Sequence, residues 1–143
     1  MLPLIGFSQN NKLQGKAGFE NYVFGTPPSQ YKNLTLEIEE GNTKLFSALP
    51  EINVTGIEIS DVNITFLKNQ LATICYKTKN STGKKFLQSL KENYGAPTKS
   101  DPAKGNFEWM GDKLHLVYEQ NKGNNDATVS FYSKELYSSA RKK

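Results

Sequence analysis

Apolar and polar residues alternate through Val62–Phe66 and again through Leu71–Thr78, with Lys68-Asn69 between the two runs. A period of two marks strands with one buried face, so this stretch predicts a β-hairpin. The period then lengthens. Phe86, Leu87, Leu90 and Tyr94 recur at spacings of three and four, while Lys84, Lys85, Gln88, Lys91 and Glu92 take the other side. That spacing predicts an amphipathic helix over about 82–94. Ser81 or Thr82 can cap it by accepting a hydrogen bond from an early backbone N–H. Gly95 is suited to a left-handed stop, with Pro97 just beyond it.

The flanking segments fit the same plan. Phe19, Tyr22, Val23 and Phe24 predict a short aromatic strand ending at Gly25. Thr26-Pro27-Pro28 is a helix start, predicting a short helix near 27–34 anchored by Tyr31 and Leu34. Leu34, Leu36 and Ile38 alternate with Thr35, Glu37 and Glu39, as in a half-buried strand that turns at Glu40-Gly41-Asn42 and returns over 43–48. Beyond Pro50, Ile52, Val54, Ile57 and Ile59 predict one or two strands around Gly56. After the polar stretch 98–106, three strands are expected. Phe107 and Trp109 share a face of the first, and Gly111-Asp112 turns the chain. Leu114, Leu116 and Tyr118 share a face of the second, with His115 and Val117 opposite. Val129 and Phe131 anchor the third. Residues 134–143 read as a short helical or frayed basic tail.

Together these elements predict a single α+β domain: an antiparallel sheet packed against one main helix. The chain has 143 residues, 22% of them charged and 11% aromatic, which suits one folded domain with its own core. The domain is expected over 19–137, with a flexible lead-in at 9–18 and a basic tail at 138–143. The net charge is +4, and Arg141, Lys142 and Lys143 supply most of it. The body is therefore nearly neutral, and nucleic-acid binding is disfavoured. Lys77, Lys79, Lys84 and Lys85 are its one basic cluster, better read as a solvated strand end and helix start.

The first residues change the picture more. Leu2–Phe7 is an apolar run, and Gly6 and Ser8 are small residues at the −3 and −1 positions of a cleavage before Gln9. Residues 1–8 therefore read as a signal-peptide remnant, although no basic residue precedes the run. The alternative is a first strand. The remnant reading implies a periplasmic or secreted protein, the alternative being a cytoplasmic one, and no segment has the length of a membrane span.

Several of these signals occur together in a recognisable order. Phe24-Gly25-Thr26-Pro27 opens a helix, a strand–turn–strand follows, and a helix ends Leu90-x-x-x-Tyr94-Gly95-x-Pro97. Phe107, Trp109 and Gly111 then precede a further strand. The chain in this respect resembles small exported α+β domains of unknown function common in Bacteroidetes, over about 19–136. The resemblance implies a compact domain in or outside the cell envelope and carries over no catalytic residue.

Candidate chemistry is sparse. Cys75 is the one cysteine, so no internal disulfide forms, and a thiol in an apolar strand reads as a small hydrophobe. Glu37 and Glu39 share a strand face and could serve as an acid–base pair with His115, the one histidine, in a small hydrolase or lyase. A solvent-facing strand explains the carboxylates without chemistry, and a hard cation would need more oxygens than they supply. No Gly-x-Ser-x-Gly elbow and no glycine-rich phosphate loop occurs. No cofactor is indicated. Asn33, Asn53, Asn63 and Asn80 head glycosylation-acceptor triplets, as expected in a chain this rich in asparagine. Phe107, Trp109, Tyr118, Phe131 and Tyr132 concentrate aromatics on neighbouring strands. Core packing accounts for most of them, and an open face would leave Trp109, Tyr118 and Tyr132 as partner-binding residues. The expected function is a non-enzymatic exported binding or accessory module, recognising a protein or an envelope component.

Overall fold

The computed structural model describes residues 17–141. The expectations placed on residues 1–16, including the signal remnant and its strand alternative, lie outside the described residues, as do the last two residues of the tail. The elements are β1 (Gly18–Phe19), β2 (Tyr22–Val23), a single 3-10 turn (Pro28–Gln30), β3 (Thr35–Glu40), β4 (Thr43–Ala48), β5 (Ile59–Leu67) and β6 (Gln70–Thr78). Then follow α1 (Gly83–Tyr94), β7 (Lys99–Asp101), β8 (Asn106–Met110), β9 (Leu114–Gln120), β10 (Ala127–Ser133) and α2 (Lys134–Arg141).

Strands β3 to β10 form one antiparallel sheet in the order β3-β4-β5-β6-β10-β9-β8-β7. Two four-stranded meanders meet where β6 pairs with β10, and α1 connects them. Register makes the two faces chemically distinct. Phe46, Ile64, Ile74, Phe131, Leu116 and Trp109 lie opposite one another in an unbroken apolar row on the inner face. The adjacent row, Val62, Tyr76, Val129, Tyr118 and Phe107, faces the same way. Helix α1 covers this face with Phe86, Leu90 and Tyr94, all buried. Burying Phe86 and Leu90 contributes about 1.5–3 kcal/mol each. The tight β1–β2 hairpin completes the layer, its Phe19 ring stacked on Phe131 at 4.2 Å between centroids.

The antiparallel sheet with a helix on one face is as expected, but the sheet is larger and dominates the fold. The short helix near 27–34 is only one 3-10 turn. Tyr31, at φ −120° and ψ 145°, is already extended, and the Thr26 hydroxyl bonds Val23 O and the Tyr31 hydroxyl. The aromatic strand at 19–24 is instead a hairpin of two-residue strands. Residues 52–57 form no strand, and β5 begins only at Ile59. The polar stretch 98–106 contains an extra edge strand, β7.

Strand β3 also departs from expectation. All six of its residues are exposed, Leu36 by 46% and Ile38 by 51%. A bulge is the physical reason. Leu36 opposes Phe46 and Ile38 opposes Leu45, so the extra residue Glu37 sends the two apolar side chains to opposite faces. An edge strand carrying a bulge and three glutamates is protected against further pairing.

Candidate binding cleft on the outer face

Strand alternation that fills the inner face leaves a mixed set of side chains on the outer one. Leu45, Thr65, Thr73, Tyr132, His115 and Met110 form a row across five strand pairings there. Helix α2 follows β10 directly and folds back over part of this face. It is held by the Tyr137 hydroxyl, hydrogen-bonded to Thr73 Oγ1, and by the edge-on packing of the Tyr137 ring on Tyr132 at 5.7 Å. The Lys134 backbone N–H donates to Lys113 O at 3.1 Å, and its ammonium donates to Gly111 O at 2.9 Å. Ser133 Oγ accepts the Leu136 N–H at 3.2 Å and so caps the helix.

Between α2 and strands β8 and β9 the face stays open, forming a cavity of about 550 Å³ lined by Met110, His115, Val117, Tyr132 and Tyr137. Its walls are largely apolar. Its polar lining includes Ser133, Lys134, Ser138 and His115, and the Nε2 of His115 lies 2.8 Å from Glu108 Oε1. The carboxylate fixes the imidazole, and the ring packs beside Tyr132 at 5.9 Å. Burial pushes the Tyr137 phenol above its ordinary pKa, with Tyr132 adding to the shift and the Thr73 hydrogen bond opposing it. The phenol is therefore neutral at physiological pH and free to act as a hydrogen-bonding tether.

The three aromatics considered for partner binding separate. Tyr132 faces the cleft. Trp109 and Tyr118 do not, being 1% and 0% exposed within the core, so neither can serve an open groove. Alternation explains it: both belong to the inner rows. Trp109 donates its indole N–H to Gly95 O at 3.0 Å and ties the end of α1 to β8. The Tyr118 hydroxyl is buried without a partner.

Glu37 and Glu39 do not meet His115. Four strands stand between β3 and β9, a separation of roughly 24 Å at the usual strand spacing. Glu37 accepts a hydrogen bond from Ser47 Oγ at 2.7 Å, and Glu39 lies 4.0 Å from the Lys44 ammonium. Among the described residues, no three His, Cys, Asp or Glu side chains come together to hold a metal ion. Cys75 sits half-buried on the outer face beside Ser130 Oγ at 3.6 Å, and burial raises its thiol pKa, which makes it a poor nucleophile. Lys77 is the penultimate residue of β6, Lys79 lies just after the strand, and Lys84 and Lys85 follow Gly83 in the first turn of α1.

Sequence reasoning missed Glu108, Met110 and Tyr137. The β8–β9 turn at Gly111-Asp112 implies a register that places Glu108 diagonal to His115, so this pair was legible. Tyr137 was not, because nothing local indicates which face α2 covers. No protein-family model, no curated protein and no solved structure matches the chain. Among the described residues no helix is long and apolar enough to cross a membrane.

Proposed function

We propose that the chain is a non-enzymatic binding module, and that its partner inserts an aromatic or long aliphatic side chain into the cleft beside α2. The observation that carries this reading is the apolar cavity of about 550 Å³ containing Met110, Tyr132 and Tyr137, with one fixed polar pair, Glu108–His115, at its side. A concave, mostly apolar site with a few placed polar groups is the usual form of a ligand-binding pocket. Aromatic side chains dominate the energetics of such contacts. The hydrolase or lyase alternative lacks support here: Glu37 and Glu39 are remote, and no hydroxyl or thiol is hydrogen-bonded to His115 among the described residues.

The partner in this reading is a protein or another envelope component, and the module is exported, as the Leu2–Phe7 run suggests. Photocrosslinking tests the partner claim. A photoreactive residue replacing Met110, introduced into the full chain in its native host, should capture one discrete adduct. Tyr132→Ala should abolish it, and a photoreactive residue at Lys91 should not produce it. Equal labelling from both positions would remove the support for a cleft-directed partner.

A further inference from the structure

A second cleft lies on the other side of the molecule, and its chemistry is different. It opens between the β1–β2 hairpin, the 3-10 turn and the segment joining β4 to β5, with a volume of about 400 Å³. Tyr22 and Tyr31 form an aromatic wall, their rings 5.2 Å apart and tilted by 45°. The Tyr31 ring is fixed because its hydroxyl accepts the Val23 N–H at 2.9 Å and bonds Thr26 Oγ1 at 2.6 Å. Glu20 stands at the hairpin tip with φ of +56°, a conformation in which glycine or asparagine is the ordinary choice. One of its carboxylate oxygens accepts the Asn53 N–H at 2.7 Å. The two-residue hairpin turn accounts for the positive φ, and the hydrogen bond to Asn53 holds the carboxylate beside the cleft.

Tyr76 supplies the independent observation. It is 1% exposed and lines this cleft, with its ring locked in the core by Phe19, Phe86 and Phe131. Its hydroxyl can both donate to and accept from a group arriving in the cleft.

The remaining polar groups identify the class of ligand. Asn21, Asn33, Asn53 and Gln30 line the cleft, and each amide can donate and accept at once. Charge is mixed, Glu20 and Glu51 against Lys32, and Glu20 is already engaged. An ionic ligand would call for one dominant sign of charge. Neutral hydroxyl groups, which donate and accept like the amides and the Tyr76 phenol, match the lining. The apolar face of a sugar ring matches the Tyr22–Tyr31 wall. We infer that this cleft is a saccharide-binding site for one or two neutral sugar rings.

A broad array of neutral oligosaccharides probed with the full-length protein tests the inference, followed by calorimetric titration of the glycan that binds. Binding of at least one neutral glycan is expected, with amide shifts concentrated at residues 20–22, 30–33 and 51–53. Tyr76→Phe keeps the ring and should weaken binding about tenfold, the loss of one well-made hydrogen bond. Tyr22→Ala should abolish it. Spermidine serves as the cationic control. Binding of spermidine without any glycan, no glycan binding at all, or glycan affinity unchanged in Tyr76→Phe would each overturn the assignment.

Discussion

Asp126, in the loop before β10, caps helix α1 from a distance of 44 residues in sequence: one carboxylate oxygen accepts the Thr82 backbone N–H at 3.2 Å. The other accepts the Ser81 N–H at 3.2 Å, and the Thr78 hydroxyl donates to the first at 2.8 Å. One side chain thus joins the end of β6, the start of α1 and the start of β10. Asp126→Ala should destabilise the domain by about 2 kcal/mol, since it strips partners from several groups that are partly withdrawn from water. Equilibrium urea unfolding measures the loss, and the Ser81–Phe86 amides should exchange faster than those of β9. A loss below about 0.5 kcal/mol, the level of an ordinary surface change, would show the cap to be dispensable.

This cap shows where the sequence was legible and where it was not. The helix itself was plain from Phe86, Leu90 and Tyr94, because periodicity is local. The side chain that caps it was not, because Thr82 looks like the capping residue. In the fold its hydroxyl instead bonds Lys79 O, Glu58 O and the Glu58 N–H. Which partner a polar group finds depends on contacts far along the chain. The same limit explains β3: alternation at Leu36 and Ile38 was real, but the bulge at Glu37 cancels it. For the sites, Tyr132 was grouped with Trp109 and Tyr118 as one aromatic set, and only the register of the sheet separates them, placing Tyr132 on the outer face and the other two on the inner. The cleft beside Tyr76 depends on the docking of the β1–β2 hairpin, which nothing local in strand β6 indicates.

Gly83 lets the Asp126 loop approach the helix closely. Its N–H donates to Asn125 O at 3.0 Å, and a Cβ there would lie 2.6 Å from that same carbonyl oxygen. Helix propensity alone predicts that Gly83→Ala stabilises by up to about 1 kcal/mol. The clash is with backbone, so the variant should instead lose about 1–3 kcal/mol. Thermal unfolding decides the sign: a raised Tm would mean that the loop yields at little cost.

Tyr118 presents the opposite case, a buried hydroxyl whose removal leaves nothing unpaired. Tyr118→Phe keeps the edge-on contact with Phe107, 5.9 Å between ring centroids. Its stability should match or exceed the parent by up to about 1 kcal/mol. A clear loss in denaturant unfolding would reveal a hydrogen bond to the hydroxyl, such as one through buried water.

Burial raises the phenols of Tyr94 and Tyr118 to about 12, with Glu20 adding to the first and Asp126 to the second. In the unfolded chain a tyrosine ionises near pH 10. Between these values the unfolded state releases protons that the folded state keeps, so stability is full below about pH 10 and falls as pH rises toward about 12. Absorbance titration should resolve late-ionising tyrosines, and denaturation midpoints should drop over that window. A domain equally stable at both ends would contradict the burial of these hydroxyls.

The tether between Tyr137 and Thr73 holds the helix that forms one wall of the outer cleft. Tyr137→Phe leaves the Thr73 hydroxyl, on a residue only 7% exposed, without that partner. The expected cost is about 1 kcal/mol, confined to α2. Hydrogen exchange should therefore quicken in residues 134–138 while the amides of β6 and β10 keep their protection. Thr73→Val alone should cost a similar amount. The double variant pairs two apolar groups of nearly the original shape, so it should be closer to the parent than the two single losses added together. A coupling near zero would mean that α2 is docked by the Tyr132–Tyr137 ring contact alone, and that the wall of the cleft depends on packing without a specific polar lock.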